Sequence, residues 1–248
     1  MTAWPYPRWI AHRGAGRLAP ENTLAAFRIG ASHGYRAFEC DVKLSADGVP
    51  FLLHDSTLQR TTSGHGPAAA LAWRALSMLD AGAWHSRAFA GEPPPSFESI
   101  ARFCLANGFA LDVEIKPSPG AEAETGRVVA MAAAALWHGT AALPLLTSFQ
   151  PASLTAALET APELPRGLLL ETLRAGWLDE ARALRCAAVA THYSLIDAAT
   201  LAAIHDAGMR ALVYTVNDPA EVQRLERLGI DGIVTDAVDR FPPAAAAS

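Results

Sequence analysis

A chain of 248 residues with 51% hydrophobic side chains has enough apolar material for a sizeable core and is too apolar for general disorder. Its length is close to that of a (β/α)8 barrel. The formal net charge is −5 and Lys and Arg are scattered, so nothing suggests a polyanion-binding surface and nucleic acid is excluded as an expected partner. Cys40, Cys104 and Cys186 are far apart and form no CxxC pattern, which points to a reducing compartment. Met1 to Ile10 has no basic start followed by an apolar run, so no signal peptide is expected. The Ala-rich run near Val128–Trp137 is too short to span a bilayer. The expectation is a cytoplasmic protein with no stable membrane insertion; nothing in the pattern specifies an oligomeric state.

In chain order, Arg8 to His12 reads as a first strand that ends at His12-Arg13-Gly14. A glycine-containing loop leads to Pro20-Glu21-Asn22-Thr23 and a helix from Leu24 to about His33, capped by Asn22 or Thr23 and closed by Gly34. The stretch Ala37 to Leu44 then alternates. Phe38, Cys40 and Val42 face one way, and Glu39 and Asp41 the other, because residues two apart share a strand face. Ser45-Ala46-Asp47-Gly48 forms a turn, and the chain returns to deliver His54 and Asp55 near the two acids.

Ser56 to Pro95 is irregular, with a short helix expected near Trp73–Leu79 and a Pro93-Pro94-Pro95 run. It reads as an insertion, too short for its own core, that shapes or covers a site. Trp84 and Phe89 either line the entrance or pack within the loop.

From Ser96 helices and strands alternate regularly. The predicted pairs are Phe97–Asn107 with Ala110–Ile115, Glu122–His138 with Leu145–Thr147, and Pro151–Glu159 with Gly167–Leu170. Ala175–Leu184 with Ala188–Thr191, Asp197–Ala207 with Arg210–Thr215, and Pro219–Leu228 with Gly232–Thr235 complete the series. With the two early strands this gives eight, which favours a closed parallel (β/α)8 TIM barrel, one domain over residues 1–248 with a small insertion (about 56–95) after the second strand. The alternative, an open doubly wound sheet, wants a third glycine and a suitably spaced acid after His12-Arg13-Gly14-Ala15-Gly16, and neither is present. Phe241 to Ser248 reads as a frayed tail.

In a parallel barrel the site lies where the strands end. That rule gathers His12 and Arg13, Glu39 and Asp41, His54, Glu114 and Lys116, Ser148, His192, Tyr214 to Asn217 and Asp236 at one rim. Glu39, Asp41 and Glu114 form an all-oxygen set suited to a divalent cation, Mg²⁺ or Ca²⁺, more than to Zn²⁺. Arg13 and Lys116 either supply the balancing charge themselves or grip phosphate oxygens. His12 and His54 can divide general base and general acid work at neutral pH. His33, His65, His85, His138 and His205 read as surface or loop residues, and His192 has no evident partner in sequence.

The ordered set His12-Arg13-Gly14, Ala19-Pro20-Glu21-Asn22-Thr23, Glu39-Cys40-Asp41-Val42, Asp47-Gly48, His54-Asp55, Leu58-Gln59-Arg60-Thr61-Thr62, Asp80-Ala81-Gly82, Glu114-Ile115-Lys116, Thr215-Val216-Asn217 and Asp231-Gly232-Ile233-Val234-Thr235-Asp236 resembles the glycerophosphodiester phosphodiesterase family, in its compact bacterial cytoplasmic form. The resemblance implies a TIM barrel that hydrolyses glycerophosphodiesters, such as glycerophosphocholine or glycerophosphoethanolamine, to sn-glycerol 3-phosphate and an alcohol. By similarity Glu39, Asp41 and Glu114 hold the cation, His12 and His54 are the acid–base pair, and Arg13 and Lys116 bind the phosphate. A cyclic phosphate intermediate is implied, and a related barrel that stops there, as a lyase of phospholipase D type, is the alternative; a binding module without turnover is a third reading. Tyr214 stands where many relatives carry tryptophan and, still aromatic, is placed to pack on the glycerol side of the substrate. Ala237-Val238 replaces a proline found in many relatives.

Overall fold

The computed structural model describes residues 4–243. Its elements run β1 (Trp9–Ala11), α1 (Leu24–Ser32), β2 (Ala37–Leu44), β3 (Pro50–Leu52), α2 (Trp73–Leu76), α3 (Phe97–Asn107), β4 (Ala110–Ile115) and α4 (Glu122–Leu136). They continue with β5 (Leu145–Ser148), α5 (Pro151–Thr160), β6 (Arg166–Leu170), α6 (Trp177–Ala183), β7 (Ala188–His192), α7 (Ala198–Asp206), β8 (Arg210–Tyr214), α8 (Pro219–Leu228) and β9 (Gly232–Thr235). The sheet order is β1-β9-β8-β7-β6-β5-β4-β2, and β1 also pairs with β2, so eight parallel strands close on themselves. The extra strand β3 runs antiparallel to β2, with Val42 opposite Leu52, and is the return arm of the predicted turn.

Strand alternation divides the apolar residues between two layers. Ala11, Phe38, Cys40, Val42 and Val113 face outward into the layer beneath the helices. Ile10, Leu145, Leu169, Ala190, Leu212 and Val234 fill the barrel interior, with Trp4 and Tyr6 packed against them; the Tyr6 hydroxyl donates to the Leu143 carbonyl.

Leu58, Ala68 and Leu76 of the insertion form a small apolar cluster with Phe51 and Leu53, because the β3 arm contributes large side chains that a 40-residue loop lacks. Of the two expected caps of α1, Thr23 is the one used, its hydroxyl accepting from the Ala26 amide, while Asn22, at φ 59°, turns toward β2. Phe241 is not frayed, since its ring stacks on Trp9 and its carbonyl accepts from the Tyr35 hydroxyl; residues 244–248 lie outside those described. His205 lies half-exposed on α7 rather than in a loop, with Nε2 2.7 Å from Asp231 Oδ2.

Asp231 ties the start of β9 to β8, accepting from the Ala211 amide at 2.8 Å and from Arg210 at 2.9 Å. Burial alone would raise its pKa, but these donors and His205 outweigh it and hold the carboxyl below its ordinary value. A depressed carboxylate stabilises the fold above the unfolded-state pKa of about 3.9, and that contribution is lost as pH falls through the folded value. Asp231→Asn is therefore expected to cost about 1–2 kcal/mol at pH 7 and to make the urea midpoint less sensitive to acidification below about pH 4.

Candidate active site

The rim is built by register. Asp41 pairs with Glu114 across β2 and β4, and Glu39 pairs with Asp112, so four acids from adjacent strands point to the barrel interior. One oxygen from each of Glu39, Asp41 and Glu114 lies within 4.8 Å of the others. Arg13 arrives on the turn after β1 at φ 51°. The turn is tight: Gly16, also at positive φ, lies so close to Asp236 that any Cβ there would overlap the Asp236 backbone.

The cations that face these acids leave one of them short. Arg13 Nη1 donates to Glu21 at 2.8 Å, and its Nε lies 3.1 Å from Asp41 Oδ2 without hydrogen-bond geometry. Lys116 Nζ is 2.8 Å from Glu114 and 3.2 Å from Asp41 Oδ1. Asn22 donates to Asp41 Oδ2 and accepts the Asp41 amide. Among the described residues Glu39 receives a hydrogen bond only from the Arg13 amide at 3.0 Å, with His12 Nε2 at 3.8 Å.

Burial, then the negative charges of Asp41 and Glu114, drives the Glu39 carboxyl well above the usual range. Burial and Asp41 likewise push Glu114 to about 7. For Asp41 burial acts the same way, but Arg13, Lys116, His54 and Asn22 prevail and hold it low. Buried Glu39 Oε1 and Asp41 Oδ1 have no hydrogen-bond partner among the described residues. Orphaned acceptors on converging hard-oxygen donors fit a divalent cation, and Arg13 and Lys116 do not neutralise Glu39 in its place.

Each candidate histidine is oriented by a carboxylate at Nδ1. His12 Nδ1 is 2.6 Å from Asp236 Oδ1, and Asn217 fixes Asp236 by donating to Oδ2 and accepting its amide. His54 Nδ1 is 2.7 Å from Asp55 Oδ1; Arg60 clamps Asp55 and reaches Glu21, which also holds Arg13. Arg60 holds Asp55 down to about 2, and burial pushes His54 below its ordinary value. A carboxylate at Nδ1 keeps a proton there, which leaves Nε2 for chemistry.

Both histidines line one cavity of about 340 Å³, with Arg13, Glu39, Glu114, Lys116 and Tyr214. An open cleft beyond it shares His54, Glu114 and Lys116. Tyr214 presents its ring, edge-on to Phe149 at 5.7 Å, while its hydroxyl donates to the Leu170 carbonyl. Ser148 is buried and donates to the Ile115 carbonyl. His192 lines the cavity and pairs with Ser194. Trp84 lines a neighbouring cleft beside His12, whereas Phe89 packs against the core.

Sequence reading missed three contributors. Lys43 is buried beside the site and donates to the Lys116 carbonyl; burial lowers its pKa to about 8. Asp112 and Phe149 also line the cavity. Lys43 and Asp112 share the inward strand face of Asp41 and Glu114, and that period-two signal is visible in the sequence.

A family model described as "Glycerophosphoryl diester phosphodiesterase family" matches residues 12–240. The chain belongs to that family. As a member it is an enzyme, a glycerophosphodiester phosphodiesterase. It is 31% identical over 234 residues to the glycerophosphodiester phosphodiesterase of Caldanaerobacter subterraneus subsp. tengcongensis, covering 92% of this chain and 93% of that one. Its fold superposes with a TM-score of 0.88 on an Oleispira antarctica phosphodiesterase solved with the product sn-glycerol-3-phosphate, at 31% identity and 95% coverage of both chains. The glycerophosphodiester phosphodiesterase of Agrobacterium tumefaciens matches with a TM-score of 0.80 at 27% identity, over 96% of this chain and 99% of that one.

Cation binding at the triad is expected to show as a thermal shift. Mg²⁺ or Ca²⁺ at about 100 times Kd stabilises metal-free protein by about 2.7 kcal/mol. Glu39→Gln removes that shift in scanning fluorimetry, without lowering the metal-free Tm, because it deletes a buried like charge.

Proposed function

We propose that this enzyme hydrolyses glycerophosphodiesters to sn-glycerol 3-phosphate and an alcohol, with His12 and His54 sharing the proton transfers. The observation that carries the reading is that two imidazoles, each held at Nδ1 by a carboxylate, line the same cavity as Glu39, Glu114 and two basic side chains, with Asp41 buried within 4.8 Å of those two acids. Glu39, Asp41 and Glu114 would hold one Mg²⁺ or Ca²⁺, which supplies positive charge against the phosphoryl oxygens. Arg13 and Lys116 bind the phosphate as charge-assisted donors once a cation relieves them of part of their work on the acids.

One histidine, neutral, accepts at Nε2 the proton of the glycerol hydroxyl that attacks phosphorus. The bond to the leaving alcohol breaks, and the other histidine, protonated, delivers a proton to that oxygen. Water then opens the cyclic phosphate with the roles reversed. The Tyr214 ring packs on the glycerol side; with its hydroxyl bound to Leu170 it acts as an apolar wall.

The substrate is a small phosphodiester of the glycerophosphocholine or glycerophosphoethanolamine class. No helix among the described residues is long and apolar enough to cross a membrane. A cytoplasmic setting is supported by three free, buried cysteines. Residues 1–248 are read as one barrel domain with an insertion at about 56–95, supported by the closure of β1 on β2.

Phosphorus NMR of a glycerophosphocholine digest is expected to show sn-glycerol 3-phosphate as the end product, and a chelator to abolish its release. An accumulating cyclic ester identifies a lyase, and full activity in chelator rejects the cation. His12→Ala and His54→Ala each lower kcat by about 10²–10⁴-fold; wild-type rates in both overturn the histidine assignment.

A further inference from the structure

The cavity that holds both histidines extends into the barrel interior, level with Glu39 on β2. Its wall there is apolar, made by Leu169, Ala190 and Val234, with the Tyr214 ring above them. One carboxylate interrupts this wall. Asp112 lies on β4 two residues before Glu114, on the same strand face and one layer deeper. It is 7% exposed and lines the cavity. Thr147, on the adjacent β5, donates to its Oδ1 at 2.7 Å. Thr147 is its one side-chain partner among the described residues, and no protein donor there reaches Oδ2.

An acid sealed in a core would need more than one hydroxyl to repay its desolvation. Asp112 is not sealed; it faces the space in which the substrate must lie. Two residues along a strand span roughly 6.5 Å, about the length of a three-carbon chain from its phosphate to its far hydroxyl. A phosphate held at the layer of Arg13, Lys116 and Glu114 therefore puts the end of a glycerol chain at the layer of Asp112. The carbon edge of that chain meets Leu169, Ala190 and Val234, and its terminal hydroxyl meets the acid.

We propose that Asp112, oriented by Thr147, receives the terminal hydroxyl of the glycerol moiety in the inner part of the cavity and so makes the enzyme selective for glycerol over shorter or deoxygenated diols. The contact works in either protonation state, since Asp112 offers an acceptor in both. The role is one of specificity: Asp112 touches the substrate away from phosphorus and moves no proton in the reaction. The proposal rests on the reading of the site as a glycerophosphodiester hydrolase.

The test compares two diesters that share a leaving group and the attacking hydroxyl: glycerophosphocholine, and the analogue in which the terminal CH₂OH is CH₃. The full-length metal-loaded enzyme is expected to prefer glycerophosphocholine by about 10–100-fold in kcat/KM, the worth of one hydrogen bond to a charged group. Asp112→Leu is expected to bring that ratio close to one, and Asp112→Asn, which keeps an acceptor, to retain part of it. Thr147→Val, which removes the orienting hydroxyl and keeps the shape, is expected to lower the ratio too, and it carries the test if Asp112→Leu does not fold.

A ratio that stays at the wild-type value in the variants overturns the proposal, even if both rates fall together, since equal losses are the mark of a structural role. A wild-type enzyme that cleaves both diesters equally well also overturns it while leaving the hydrolase reading intact. Turnover of neither diester sinks the hydrolase reading itself.

Discussion

Three carboxylates confined to one rim of a barrel set the terms for the rest of the structure. Like charges a few ångströms apart and shielded from water repel by several kcal/mol at any reasonable protein dielectric. The chain meets this with unequal means. Asp41, at the centre, receives Arg13, Lys116 and Asn22 and stays ionised, while Glu39 gets little beyond one backbone amide. The imbalance makes the rim a fit for a divalent cation, because the site is incomplete on its own charges. It also explains why a basic turn residue sits at positive φ: no relaxed extended backbone would turn the Arg13 amide toward Glu39 and its side chain toward Asp41 at once.

The two histidines are held by separate hydrogen-bond chains, and the one that holds His54 leads back to Arg13. His12 depends on Asp236 and Asn217, from the ends of the last two barrel strands. His54 depends on Asp55 and, through it, on Arg60 from the insertion. Arg60 also binds Glu21, the partner of Arg13. The insertion is thus more than a cover. It supplies the cation that fixes one imidazole, and its small apolar cluster gives that cation a rigid base. In the proposed mechanism rigidity at this point matters, because proton transfer depends steeply on the placement of the reacting nitrogen.

Much of the barrel was legible from periodicity. The bounds of α3, β4, α8 and β9 agree with the sequence reading residue for residue, since each is flanked by strong signals: the Ser96 cap and Gly108 around α3, Asp218-Pro219 and Gly229 around α8. The helix read as Ala175–Leu184 begins instead at Trp177, because Gly176 sits at φ 78° and belongs to the preceding turn. Thr23 rather than Asn22 caps α1 for a reason outside the helix: the Asn22 amide group is engaged by Asp41, on a strand 15 residues further on. Local capping preference gave way to a buried ion that needed a neutral partner. Lys43 and Asp112 went unremarked although their strand phase places them beside the acids.

The amino-acid sequence by itself determined the eight-strand alternation, the family, and the residue types gathered at the strand ends, because side-chain period and turn chemistry are local properties of the chain. Only the tertiary structure decided which acid goes without a counter-charge, which carboxylate orients which imidazole, and how far the cavity reaches inward. Those outcomes depend on register between strands and on closure of the ring, where residues as distant as His12 and Asp236 become neighbours, and no local pattern encodes such a meeting.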